Sequence, residues 1–306
     1  MMQKFFKSSK EEEFIPIDTL RPGCWIHLQQ ASLPELEELA SLLQLEVMEL
    51  QDALDKYEIP RVEKIGQTVL IFIRHPIEHE LGLYTTTLTF ILHPLYFATI
   101  APGNKDLVKQ FLSQKTKLAS QQKSKLLLAL LLKVSHEFTL HIRRVRYNVL
   151  KQEKEIGSVG SEDITILTRQ EEILNQYHST LIPLRHVIED LSSGRYITLS
   201  EKEADLLSDL LNTIHQSEDL CNMSLRSIRS LRDSYQIIFT NHVTKTIKRL
   251  TALTILFSIP TMIASLYGMN MDLPFASKPE AFLYVLGITG FFTIGAIFIF
   301  QKKEWL

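Results

Sequence analysis

This sequence lacks most of the patterns that chemistry requires. Two cysteines among 306 residues, Cys24 and Cys221, lie far apart, which excludes a disulfide framework and suits a reducing compartment. Net charge is nearly absent: 33 basic against 35 acidic residues leave −2, so no strong overall bias toward nucleic acid or acidic substrates shows. The first thirteen residues, ending Lys10-Glu11-Glu12-Glu13, have no long apolar core and do not read as a secretory signal. No G-x-x-x-x-G-K, G-x-G-x-x-G or H-E-x-x-H occurs, and no nucleophile or acid–base pair sits together in sequence. A nucleotide-driven machine and an enzyme are therefore disfavoured, and no organic cofactor is expected. Glycine and proline are missing from Arg195 to Ile259, and charge is missing from Leu250 to Met271 and from Ala281 to Gln301.

These last two absences organise the chain. Uncharged apolar runs of this length are candidate membrane-spanning helices. The preceding 245 or so residues are rich in charge and read as soluble. Short β-like runs at Cys24–Gln29, Thr68–Ile73, Thr85–Leu92 and Tyr96–Ile100, with a helix capped by Ser32, predict a small α/β domain over 1–120. Helical patterns follow over Ser124–Ile156 and Glu162–Leu191, the latter broken or bent near Pro183. Ser200 with Glu203 forms a capping-box signature for the longest helix. If it runs to Tyr267 it is roughly 100 Å long, and must begin outside a bilayer and enter it. The predicted organisation is 1–120 cytoplasmic α/β domain, 121–249 cytoplasmic helical stalk, 250–271 first span, 272–280 external loop, 281–301 second span and 302–306 basic tail. Lys245, Lys248, Arg249, Lys302 and Lys303 flank the spans, so the positive-inside rule places both termini in the cytoplasm of a cell (inner) membrane protein. Pro260 falls inside the first span, where a bend is tolerated, and Gly268 ends it.

The hydroxyls of the first span share one stripe: Thr251, Thr254, Ser258, Thr261 and Ser265, spaced 3, 4, 3, 4. Such residues often bond back to the i−4 carbonyl or glue helices together. Alternatively the stripe faces a water-filled path. It continues toward the soluble part through Thr244 and Thr240, with Ile247 on the same face. Two spans cannot enclose water, so a path requires several subunits around a symmetry axis.

At the outer end stands Tyr267-Gly268-Met269-Asn270, followed by a short loop and a second span. In that setting the chain resembles the CorA family of divalent-cation channels, whose first span ends in Gly-Met-Asn, usually after Tyr. Lys248-Arg249-Leu250-Thr251 and the basic Lys302-Lys303-Glu304-Trp305-Leu306 are similar to the family's span flanks. Pro183-Leu184-Arg185 and Arg61-Val62-Glu63 resemble its soluble domain. The resemblance implies an α+β cytoplasmic domain, long α-helices and two C-terminal transmembrane helices in a funnel-shaped homo-oligomer, a pentamer. It also implies divalent cations as cargo, Mg²⁺ first, with the membrane and no nucleic acid as partners.

Carried over by position, Tyr267, Gly268, Met269 and Asn270 match the outer mouth, where neutral amide oxygens meet a hydrated ion. Thr254, Ser258, Thr261 and Asp233 match the pore lining, to which the stripe adds Thr244, Thr251 and Ser265, and Ile247 with Leu250 match a hydrophobic gate. Ser258 departs from the family, which often carries a bulky apolar residue there. Asp209 matches a position that helps hold regulatory Mg²⁺ between subunits, with Glu78 and Glu80 in the loop where its partner acid belongs. Without the family, Asp209 and Asp233 read as solvated helix-face charges. His75, His79 and the two glutamates could instead hold Zn²⁺ or Co²⁺. His136, His141 and Glu11-Glu12-Glu13 read as solvated surface. The function so implied is passive Mg²⁺ influx, driven by the membrane potential and gated by cytoplasmic Mg²⁺. A Zn²⁺/Co²⁺/Ni²⁺ transporter of the same fold, or a membrane-anchored scaffold that transports nothing, are the alternatives.

Overall fold

The computed structural model describes residues 2–8, 11, 13–79, 82–103, 107–113, 115–154, 160–270 and 280–305. They form two units, 1–156 with 165–231, and 157–164 with 232–306.

The first unit is built on a seven-stranded mixed sheet. In chain order its strands are β1 (Met2–Phe6), β2 (Ile15–Pro16), β3 (Trp25–Gln29), β4 (Arg61–Ile65), β5 (Thr68–His79), β6 (Gly82–Leu92) and β7 (Phe97–Ala101). Their spatial order is β2-β1-β3-β7-β6-β5-β4. Only the β3–β7 pairing is parallel. The sheet's period-two alternation sorts its side chains onto two faces. Ile26, Leu28, Leu70, Phe72, Ala98 and Ile100 meet Leu36, Leu39, Leu43 and Leu50 of two short helices, α1 (Leu33–Leu43) and α2 (Val47–Gln51). On the other face Trp25 packs edge-on to Phe14 and against Phe97 and Phe111. Phe111 belongs to α3 (Leu107–Leu112).

The α1 start is a reciprocal cap. Glu35 accepts from the Ser32 amide at 3.0 Å and the Ser32 hydroxyl at 2.9 Å, and also from the Met2 amide at 2.8 Å. This last bond ties α1 to β1, a strand that the charged first residues hide from a sequence reading.

Three long helices follow: α4 (Lys123–Lys154), α5 (Ser161–Ser192) and α6 (Glu201–Tyr267). Pro183 does not break α5, which runs as one element. Ser200 caps α6, its amide and hydroxyl bonding Glu203 at 2.8 and 2.6 Å. Within the first unit Arg185 of α5 bridges Glu189 of its own helix and Glu218 of α6, and Arg229 of α6 holds Glu171 of α5 at 2.8 Å. The Arg185 guanidinium lowers the Glu189 pKa.

Two expectations need correction here. The segment His75-Pro-Ile-Glu-His is strand, not loop. Its Pro76 is tolerated because β4 pairs only with Thr68–Phe72, leaving β5 unpaired on that side where the missing N–H falls. His141 is buried rather than solvated: its Nδ1 shares a 3.0 Å hydrogen bond with the Tyr177 hydroxyl, and burial pulls its pKa down. His136 is exposed, its Nδ1 within 2.9 Å of the Leu132 carbonyl.

The second unit holds the far end of α6 and α7 (Ala281–Lys302). Both helices are long and apolar enough to cross a membrane, and their apolar windows are only 11% and 0% buried, unlike core helices of a soluble protein. α6 continues through Pro260 and stops at Tyr267. Gly268 donates to the Ala264 and Ser265 carbonyls at 3.0 and 3.2 Å. Its φ lies outside the left-handed region, so that backbone conformation is not why glycine stands there.

Candidate ion path and cytoplasmic acids

A membrane helix satisfies its backbone internally, so its side chains decide what it faces. Thr251, Thr254, Ser258, Thr261 and Ser265 are all exposed on α6. Three of them donate to the carbonyl four residues earlier: Thr254 to Leu250 at 2.9 Å, Ser258 to Thr254 at 2.7 Å, Thr261 to Phe257 at 2.9 Å. Back-bonding and an outward-facing role are therefore compatible. A hydroxyl has one proton and two lone pairs. With the proton committed to the backbone, the oxygen presents acceptors outward. That suits a hydrated cation, whose bound waters offer only hydrogens.

The covered residues of the same segment are Ala252, Leu256, Ile259, Pro260, Ile263 and Tyr267. At 3.6 residues per turn their mean direction lies about 150° from Ser258. The hydroxyl edge and the covered face are thus opposed within one helix. Below the apolar part, every residue from Thr240 to Thr251 is exposed, including Thr244, Ile247 and Leu250. Ile247 and Leu250 are 57% and 65% exposed, which strands two large apolar side chains in a single subunit. Asp233 precedes Thr244 by three turns on the same edge and is also exposed. Its nearest cation is Arg232, at 3.7 Å.

At the other end Tyr267 is half-buried and Gly268, Met269 and Asn270 are exposed. Among the described residues, a Cβ added at Gly268 meets only the Ala264 and Ser265 carbonyl oxygens, at 3.5 and 3.6 Å, which is ordinary contact. Neither φ nor intrachain packing demands glycine. The loop residues Asp272, Lys278 and their neighbours over 271–279 lie outside the described residues.

The proposed regulatory acids are not brought together within one chain. Asp209 sits exposed on α6, and its carboxylate has no hydrogen-bond or ion-pair partner among the described residues. Glu78 is held by the Arg144 guanidinium of α4. Together they border a cleft of about 500 Å³ also lined by His75, Glu137 and His141. Glu80 lies outside the described residues, as does the side chain of His79. No group of three or more His, Cys, Asp or Glu among the described residues could hold a metal ion. Of the four donors in the Zn²⁺ or Co²⁺ alternative, the His79 side chain and Glu80 thus lie outside the described residues. Sequence reasoning missed Arg144 as the partner of Glu78, because a contact across 66 positions leaves no local signal.

A mixed-sheet domain feeding a 67-residue helix, with a second apolar helix after it, defines a two-span membrane protein with a large soluble part. A family model described as "CorA-like Mg2+ transporter protein" matches residues 22–303, and the chain belongs to that family. It is a CorA-like divalent-cation transporter. The cobalt/magnesium transport protein CorA of Methanocaldococcus jannaschii is 27% identical, the match covering 92% of this chain and 91% of that one. The complete structure of the CorA magnesium transporter from the same organism superposes with a TM-score of 0.78 at 20% identity, covering 100% and 99% of the two chains. The full-length CmaX protein gives a TM-score of 0.73 at 15% identity, covering 99% and 97%. At these identities the two structures speak for the fold alone.

Proposed function

We propose that several copies of this chain, five on the family resemblance, set the hydroxyl edge of α6 around a water-filled path that conducts Mg²⁺ passively into the cytoplasm. The observation that carries this reading is the acceptor-only edge of Thr254, Ser258 and Thr261, exposed and opposite the helix's covered face. Twelve successive uncovered residues from Thr240 to Thr251 support an oligomer. A helix segment without tertiary cover is marginal in water, and a second copy supplies the missing contacts.

In this assembly the neutral oxygens around Asn270 accept hydrogen bonds from the waters of a hydrated ion. Mg²⁺ gives up its waters reluctantly, and a ring of carboxylates would hold it too long. Gly268 keeps the mouth free of side chains. Ile247 and Leu250 form an apolar constriction that closes by dewetting, and Asp233 gathers cations on its inner side. An inside-negative potential of about 100 mV supplies about 4.6 kcal/mol per divalent ion, so no ATP is needed. Both termini, the sheet domain and the helical stalk lie in the cytoplasm. Mg²⁺ held at Asp209 between subunits favours the closed assembly. Glu78 is paired with Arg144 within the chain, so Glu80 or another acid of the neighbouring subunit faces Asp209.

The test is dye-reported Mg²⁺ uptake into proteoliposomes under an imposed potential, with Co²⁺, Ni²⁺ and Zn²⁺ as competitors. Potential-driven uptake that excess Zn²⁺ leaves intact supports the reading. Uptake of Zn²⁺ or Co²⁺ but not Mg²⁺ replaces the ion, and no uptake of any metal leaves the spans as a tether. Asp209→Lys should relieve inhibition by internal Mg²⁺. Unchanged inhibition removes Asp209 from the regulatory site.

A further inference from the structure

The second unit gathers cations on one side. Lys245 and Arg249 lie about 140° and 180° around α6 from Ser258, on the line of the covered residues Ala252, Leu256 and Ile263. Lys248 lies between that line and the hydroxyl edge. All three are exposed, and no acid occurs from Thr240 to Ala252. α7 ends in two more exposed cations, Lys302 and Lys303.

The end of α7 is locked. The Trp305 amide donates to the Phe300 carbonyl at 2.9 Å and the Glu304 amide to the Gln301 carbonyl at 3.1 Å. Glu304 takes φ +55°, a left-handed conformation disfavoured for a residue with a side chain. This is a Schellman closure, and its accompanying hydrophobic contact is the Trp305 ring stacked on Phe300, with centroids 5.6 Å apart and planes 6° from parallel. The turn fixes an indole beside two lysines at the end of an apolar helix. Tryptophan and lysine in that combination mark a membrane–water interface.

If α6 and α7 cross the bilayer in opposite directions, Lys302 and Lys303 emerge on the side where Arg249 precedes the first span. The cations then lie at one level, and Lys245 and Arg249 face away from the hydroxyl edge. We propose that Lys245, Arg249, Lys302 and Lys303 form a binding site for the phosphate headgroup of an anionic phospholipid in the adjacent leaflet, with Trp305 as its interfacial wall. The inference rests on the membrane placement of the two helices. It adds a lipid ligand to what the family assigns. Topology alone asks for charge on that side, whereas the closure of α7 also sets an indole beside Lys302 and Lys303.

The two tryptophans provide the probe. Trp25 is fully buried in the sheet domain, so brominated lipids quench Trp305 alone. The full-length protein is placed in nanodiscs containing brominated phosphatidylglycerol or brominated phosphatidylcholine at equal mole fraction. We expect phosphatidylglycerol to be preferred about fivefold for each cation it meets. The preference should fall in 0.5 M NaCl, and in Lys302→Gln/Lys303→Gln and Lys245→Gln/Arg249→Gln at low salt. Because the salt arm uses the unaltered protein, misfolding of a variant does not rescue the proposal. Equal quenching by both lipids, or a preference that salt leaves intact, overturns the lipid site while leaving the spans in the bilayer. Quenching by neither lipid sinks the membrane placement itself. Sodium phosphate that abolishes the preference beyond NaCl of matched ionic strength identifies a free-phosphate site instead, and overturns the lipid assignment.

Discussion

Ser258 gives its hydroxyl proton to the Thr254 carbonyl across 2.7 Å, and so turns only lone pairs away from the helix. Thr254 and Thr261 repeat the arrangement at 2.9 Å. The edge thereby acquires a polarity that a free hydroxyl, able to donate or accept, would not have. Its oxygens match the water hydrogens around a divalent cation and offer no proton to a chloride ion.

Removing these acceptors should slow transport and spare the fold. Ser258→Ala and Thr261→Val delete an exposed oxygen and a back-bond that adds little to helix stability. Mg²⁺ uptake into proteoliposomes is expected to fall roughly three- to tenfold, with melting temperatures within about 2 °C of the parent. Unchanged uptake in the double variant removes the hydroxyl edge from the conduction path.

Gly268→Ala tests the mouth. Among the described residues the new methyl meets nothing closer than a carbonyl oxygen at 3.5 Å, and the backbone is not left-handed there. Folding and assembly, followed by size exclusion and thermal melting, should be unaffected. Uptake should drop on the order of tenfold, because in a ring of subunits each methyl narrows the opening. A destabilised protein would place the requirement for glycine inside the subunit instead.

Stability should depend on pH near neutrality through His141. Burial lowers its pKa, with Glu137 opposing in part. The unfolded chain therefore binds more protons, so this contribution is complete above about pH 6.5 and is lost as pH falls through the folded value. His93 acts with the same sign, lowered by burial and then by Lys123. Melting temperature in detergent should fall by about 3 °C or more between pH 7.5 and 5.5. His141→Gln should flatten that slope. An identical slope in the variant assigns the titration to His93 or elsewhere.

Glu35 predicts a separate acid limb. Hydrogen bonds from Ser32, with help from the Met2 amide, hold its carboxyl down to about 2 against an ordinary 4.5. Its stabilisation is present above about pH 4.5 and is lost as pH falls toward 2. Glu35→Ala should cost about 1 kcal/mol at pH 7, a cap's usual worth. The gap between variant and parent in urea midpoint should narrow below about pH 4.5 and close only below about pH 2. A gap that persists there would mean packing, not charge, is what Glu35 contributes.

The sequence was most legible where one element carries its own signal. The missing glycine and proline between Arg195 and Ile259 and the Ser200–Glu203 cap announced α6. Two uncharged runs announced the candidate spans. It was least legible where a residue's role depends on a distant partner. The loop expected around Glu78 is strand β5, and Pro76 is tolerated there because the short β4 leaves that edge unpaired. His141 reads as surface, yet Tyr177 meets it across α4 and α5, and nothing local in the sequence pairs Arg144 with Glu78. β1 escaped notice because its partners, β3 and the amide bond to Glu35, lie elsewhere in the chain. The site residues of α6 were readable as a stripe, but their opposition to the covered face needed coordinates.

Cysteine accessibility tests the central claim most directly. Cys24 and Cys221 are buried, and burial pushes the Cys221 thiol up to about 12, so the native thiols are poor nucleophiles. Thr254→Cys, Ser258→Cys and Thr261→Cys are compared with Ile263→Cys, on the covered face, during Mg²⁺ flux in proteoliposomes. A cationic, water-soluble methanethiosulfonate reagent should modify the three edge positions and block flux, while leaving the protein with cysteine at 263 conducting. Equal protection of all four positions, with flux continuing, would contradict a water-filled path along the hydroxyl edge.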